Sequence, residues 1–153
     1  MKEKLKFEVG TYLLIPLSDG SFGYGRVLKN PYIAFYNYQT DRPTSDLDLI
    51  DLHPILFKQA VRFHKENKWI NIGINPLNEE LAKPVVRFMQ DLADFRKCII
   101  FDSEGLEQHV SPEDCIGVER AEVWESYHLE QRLLDTFQGK QNAAELYSRV
   151  RLK

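Results

Sequence analysis

The chain has 153 residues, 43% of them hydrophobic and 12% aromatic, which is enough for a buried core at the size of one compact domain. Eight Gly, seven Pro and 28% charged residues exclude the low-complexity and disordered classes. Twenty Lys and Arg against 23 Asp and Glu leave a net charge of -3, the wrong sign for a general nucleic-acid-binding surface; no nucleic-acid partner is expected, and a basic partner suits the chain better.

No run approaches the roughly 20 apolar residues of a membrane span, so no membrane partner is expected. The opening Met1-Lys2-Glu3-Lys4-Leu5-Lys6 is basic like the start of an export signal. The apolar segment after it is short and has no small-residue cleavage site, and a cytoplasmic location is expected. Cys98 and Cys115 are then expected as free buried thiols.

In chain order, the first expectation is a β-meander. Tyr12 to Leu17 forms a strand, Ser18-Asp19-Gly20-Ser21 a tight turn, and Phe22 to Leu28 the return strand. Asn30-Pro31 opens the next turn, and the aromatic and branched run Tyr32 to Tyr38 reads as a central strand. A polar loop from Gln39 to Asp48 precedes Ile55 to Phe63, which reads as a strand with a short helix as the alternative. Trp69 to Ile74 alternates as a strand, with Trp69 and Asn71 on one side and Ile70, Ile72 and Ile74 on the other. Cys98 to Phe101 and Leu106 to Val110 form a hairpin around Gly105, which takes the positive φ of the turn.

Beyond Val110 the pattern changes to helix. Ser111-Pro112-Glu113-Asp114 suits a single helical turn, with Ser as cap and Pro at the first position. Ser126 caps a longer helix to Gln138, because Leu129, Leu133 and Phe137 recur at helical spacing and Gly139 stops it. Asn142 caps a final helix, Ala143 to Val150. The fold class is α+β: one domain over 1–153, a mostly antiparallel sheet or open barrel that begins as a meander and carries C-terminal helices.

Catalytic and metal chemistry find little support. Gly20-Ser21-Phe22-Gly23-Tyr24-Gly25 runs into a strand, whereas a phosphate loop opens a helix, so its glycines read as hairpin geometry. His53, His64, His109 and His128 show no pair at helical ligand spacing, and no metal or other cofactor is expected. Cys115 follows Glu113 and Asp114, whose charge raises a thiol pKa, so it reads as structural. Charge is segregated, however. Asp102 through Asp135 holds ten acids against Arg120 and Arg132, a local -8 within a total of -3, so the remainder carries +5. A solvated helical face is the plain explanation; a surface that seats in a cationic cleft is the functional one.

Four blocks carry a resemblance: Gly10-Thr11-Tyr12-Leu13-Leu14-Ile15-Pro16-Leu17-Ser18-Asp19-Gly20 with Gly23 to Leu28; Trp69-Ile70-Asn71-Ile72-Gly73; Val118-Glu119-Arg120-Ala121-Glu122-Val123-Trp124; and His128 to Leu133 with Phe137-Gln138-Gly139. Over Gly10 to about Asn142 the chain resembles the immunity protein 26 family, bacterial proteins encoded beside polymorphic or contact-dependent toxins. Val118 stands where the family has Leu, and Glu122 where it has a small residue. The resemblance implies a non-enzymatic inhibitor that binds and neutralises one cognate toxin, with Gly25, Trp69, Gly73, Trp124 and Arg132 building the scaffold and Trp124 as a core anchor. The expected toxin-binding surface is Glu104, Glu107, Glu113, Asp114, Glu122 and Glu125, facing a basic toxin such as a nuclease. The Asp41, Asp46, Asp48 and Asp51 loop is its rival. The competing function is a small-molecule-binding β-barrel or regulatory module, with Tyr32 to Tyr38 lining the pocket. Oligomeric state is left open.

Overall fold

A computed structural model of the chain describes residues 7–153, so the basic opening Met1-Lys6 lies outside the described residues. In chain order the elements are β1 (Thr11–Pro16), β2 (Phe22–Val27), β3 (Tyr32–Tyr36), α1 (Leu47–Asp51), β4 (Ile55–Arg62), β5 (Ile70–Ile74), α2 (Glu79–Ala82) and β6 (Arg87–Gln90). There follow β7 (Cys98–Phe101), β8 (Glu107–Val110), a 3-10 turn (Pro112–Cys115), β9 (Glu119–Arg120), β10 (Val123–Glu125), α3 (Ser126–Phe137) and α4 (Ala143–Ser148). The class is α+β, with two mostly antiparallel sheets, neither closed into a barrel. Residues sort into two compact units, one running to Ala82 with Val123–Asn142, the other comprising Lys83–Glu122 with Ala143–Lys153.

The first unit is built on a six-stranded sheet ordered β10-β4-β3-β2-β1-β5, which makes the aromatic strand β3 central, as its composition predicts. Alternation along β1 sends Leu13 and Ile15 to one face and Tyr12 and Leu14 to the other. Both faces are covered. On the first, Leu129, Leu133 and Leu134 of α3 join Phe35, Phe57, Trp69 and Trp124 in one core. On the second, Ile50 of α1 closes over Tyr12, Tyr24 and Tyr36. The glycines of β2 serve this packing: a Cβ on Gly23 would stand 3.2 Å from Leu133 Cδ1, and one on Gly25 3.2 Å from Ile33 Cγ2. The turn before β2 is tied by Asp19, whose carboxylate accepts the Ser21 amide at 2.9 Å while Gly20 takes φ +87°.

Three expectations need correction. Ser126 does not cap α3 but is its first residue; its hydroxyl accepts the His64 amide at 3.3 Å and so ties the helix to the end of β4. Residues beyond Val110 are not wholly helical, because β9 pairs parallel to β6 and β10 parallel to β4, which places Trp124 on a strand. The polar loop after β3 gives way to α1, started by Asp46, whose carboxylate accepts the Leu49 amide at 3.2 Å.

The second unit holds a four-stranded sheet ordered β8-β7-β6-β9. Phe88, Cys98 and Cys115 form its buried core, with Ile100, Val110, Val118 and Val150 packed against it. Both cysteines are free thiols. Burial first, then the neighbouring Cys98 thiol and to a smaller extent Asp114, push the Cys115 thiol up to about 11. Gln90 clasps the C-terminal segment: its amide nitrogen donates to Arg151 O at 2.7 Å and its oxygen accepts the Arg151 amide at 3.0 Å.

Candidate functional site

Two polar constellations stand out, and their chemistry separates them. The first is centred on Arg26, a cation in an otherwise apolar strand and only 3% exposed. Its Nε donates to Gly10 O at 2.8 Å, one terminal nitrogen donates to Tyr36 Oη and Asp51 Oδ1 at 3.3 Å each, and the other to Asn75 O at 2.9 Å and Pro76 O at 3.1 Å. The guanidinium also lies 3.9 Å over the Tyr12 ring. Both phenols donate to Asp51, Tyr12 at 2.5 Å and Tyr36 at 2.9 Å. Burial, then the Asp51 hydrogen bond, raises Tyr12; burial raises Tyr36 as well, so both stay phenols. A guanidinium with all its donors engaged is a strut, holding β1, β2, β3, α1 and the segment after β5 together. Asp51 is thereby taken up by the fold, and Asp46 by the start of α1, which leaves Asp41 and Asp48 of the rival loop exposed.

The second constellation lies at the β8 side of the second unit. The β7–β8 turn is built by Asp102, whose Oδ1 accepts the amides of Glu104 at 2.8 Å and Leu106 at 3.1 Å, with Gly105 at φ +102°. The residues pair Met89 with Ile99 and Ile99 with His109, so these three stand side by side on one face of the sheet. Met89 and His109 are exposed, whereas Phe88 and Cys98 on the opposite face are buried. A groove of about 900 Å³ is lined by Met89, Ile99 and His109 together with Gln90, Arg96, Lys97 and Asp114, so groups of both charges border it.

The six acids expected to form the site divide. Glu104, Glu107, Glu113 and Asp114 follow one another along the β7–β8 turn, β8 and the 3-10 turn, all exposed. Asp114 holds that turn, accepting the Ser111 amide at 3.2 Å and hydroxyl at 3.0 Å. Glu122 comes after β9, the opposite edge strand, where its carboxylate accepts the Ser148 hydroxyl. Glu125 belongs to the first unit and pairs with exposed Arg62 at 3.2 Å. The open-face row Met89, Ile99 and His109 was missed by sequence reasoning because β6 was missed; Val85, Val86, Phe88 and Met89 between Pro84 and Asp91 were its available signal.

Side chains of the aromatic strand pack into both cores of the first unit. Phe35 stacks on Phe57 at 4.9 Å in one core and Tyr36 parallels Tyr12 at 6.5 Å in the other. Tyr32 and Ile33 border a cavity of about 490 Å³ walled by Val27, Leu28, Val61 and Phe63. Among the described residues no group of His, Cys, Asp and Glu is arranged to hold a metal, and no helix is long and apolar enough to cross a membrane.

Fold and site together describe a small α+β protein whose buried polar groups brace the scaffold and whose second unit presents an open, acid-flanked sheet edge. The chain belongs to the immunity protein 26 family, whose family model matches residues 8–99, more than half of it. That match contains the Gly10–Leu28 and Trp69–Gly73 blocks; the Val118–Trp124 and His128–Gly139 blocks lie beyond it. No curated protein and no solved structure matches the chain.

Proposed function

We propose that the chain neutralises one cognate bacterial toxin in the cytoplasm by binding and occluding it, without turnover and without a cofactor. The observation that carries this reading is the β8 side of the second unit, where residues 102–114 hold five carboxylates and no Lys or Arg beside the row of Met89, Ile99 and His109. Acid beside exposed apolar surface suits the cationic cleft of an enzyme that handles a polyanion, such as a nuclease, because complementary potential speeds encounter while the apolar row supplies contact area. The second unit also carries eight of the fifteen large hydrophobic side chains that stand exposed among the described residues, although it is the smaller unit. Within the expected acidic surface, Glu104, Glu107 and Glu113 are the contact residues and Asp114 shapes the turn that presents them. Glu122 and Glu125 are engaged with Ser148 and Arg62 and contribute less.

The test uses the toxin domain encoded by the neighbouring reading frame. Co-expression of this chain should restore growth, and calorimetry should give a complex that the triple charge reversal Glu104→Lys, Glu107→Lys, Glu113→Lys weakens at least tenfold. Unchanged affinity would remove the surface from the reading, and failure to restore growth would remove toxin neutralisation itself.

A further inference from the structure

Among the described residues, strand order leaves β8 at the edge of its sheet, paired with β7 on one side. The Asp102 amide donates to Leu106 O at 3.2 Å, so that pair is a hydrogen-bonded one. Antiparallel pairs alternate, and the register Phe101/Glu107, Ile100/Gln108, Ile99/His109, Cys98/Val110 then makes the second and fourth pairs bonded and the first and third not. The backbone N–H and C=O of Glu107 and His109 therefore point away from β7. Both residues are exposed, as is Gln108 between them. Such an edge is a template for another strand, because its donors and acceptors are already set at ladder spacing.

We infer that β8 is a strand-docking edge at which an extended, basic segment of the toxin adds to the second sheet as a fifth strand; this rests on the toxin-binding reading above. Side chains support the choice of occupant. Glu107 and His109 share the open face with Ile99 and Met89, so a residue opposite His109 continues an existing apolar row while a Lys or Arg opposite Glu107 meets a carboxylate. Five carboxylates and no Lys or Arg over residues 102–114 select a basic strand and oppose the edge-to-edge pairing of two copies of this chain. Backbone pairing of this kind supplies affinity with little demand on sequence, and the flanking acids supply the selection.

The experiment is residue-resolved amide exchange by NMR on the full chain, free and bound to the toxin domain of the neighbouring frame. Strand addition slows exchange at the Glu107 and His109 amides at least tenfold, and changes Gln108 and Val110, already bonded to β7, far less. As a second measurement, His109→Ala removes the side chain alone and His109→Pro removes the outward donor as well, so H109P should bind at least tenfold more weakly than H109A. A complex in which the Glu107 and His109 amides exchange as in the free chain, or in which H109P binds like H109A, overturns strand addition and leaves toxin binding standing. Absence of any complex removes both.

Discussion

Replacing Arg26 by Met keeps most of the side-chain volume and deletes the charge at the centre of the first unit's polar network. Five acceptors lose a donor, and they do not suffer equally. Asn75 and Pro76 are exposed residues, and the Asp51 side chain is 42% exposed, so water can take over at these three. Gly10 O and Tyr36 Oη are buried and each keeps one partner, the Asn75 amide at 3.2 Å and Asp51 at 2.9 Å, so each loses one hydrogen bond to a charged donor, worth about 1.5 kcal/mol. Loss of the cation over the Tyr12 ring adds on the order of 1–2 kcal/mol at a desolvated site. A total of about 4–5 kcal/mol is expected. Asp51→Asn, at the exposed end, should cost about 1–2 kcal/mol, because the guanidinium keeps its three carbonyl partners. Urea unfolding of both single variants and the double variant measures these costs and their coupling, provided the m-value is unchanged. An R26M cost below about 1 kcal/mol would refute the strut assignment and return Asp51 to the candidates for binding.

Two further outcomes follow from the packing. Gly23→Val should destabilise the first unit by about 1–3 kcal/mol in the same urea assay, because its Cβ alone would reach 3.2 Å from Leu133 Cδ1 and 3.7 Å from Phe137 Cε2; a neutral result would mean that α3 can lift off β2 freely. In the second unit, burial raises the Cys115 thiol from 9.0 to about 11, so below pH 9 both the folded and unfolded chains hold the proton and its contribution to stability is complete. Between pH 9 and 11 the unfolded chain gives up the proton first, and stability is lost as the pH rises through that window. Cys115→Ala should flatten that part of the pH profile relative to the parent, measured by amide exchange at Phe88 and Cys98; an identical slope would place the thiol in a solvated setting.

What was legible in the chain was whatever is decided locally. Asp19-Gly20 and Asp102 with Gly105 announce their hairpins because the side chain that ties each turn lies within four residues of the amides it accepts. Leu129, Leu133 and Phe137 mark α3 for the same reason, their spacing being the helix period itself. The strands β9 and β10 carry no such mark. They are two and three residues long, and their parallel partners β6 and β4 lie far back in the chain, so only tertiary pairing defines them. The covered second face of the first sheet was hidden likewise, since Tyr12 and Tyr36 become buried only when Asp51 and Arg26 satisfy their hydroxyls.

Counting acids found a charged region but could not sort its members, because a carboxylate's availability depends on what the fold brings to it. Asp114 closes a turn, Glu125 meets Arg62, Glu122 meets Ser148, and Asp51 meets Arg26, each across a separation that ranges from three residues to 63. Glu104, Glu107 and Glu113 remain as exposed carboxylates, and all three belong to the stretch that contains β8. The same sorting explains why backbone geometry matters more at this edge than charge alone. Were charge the whole of recognition, any carboxylate of similar exposure would serve, Asp41 and Asp48 included. Outward amides at Glu107 and His109 make the β8 edge directional, and a basic surface without an extended segment would satisfy its charge but not its ladder.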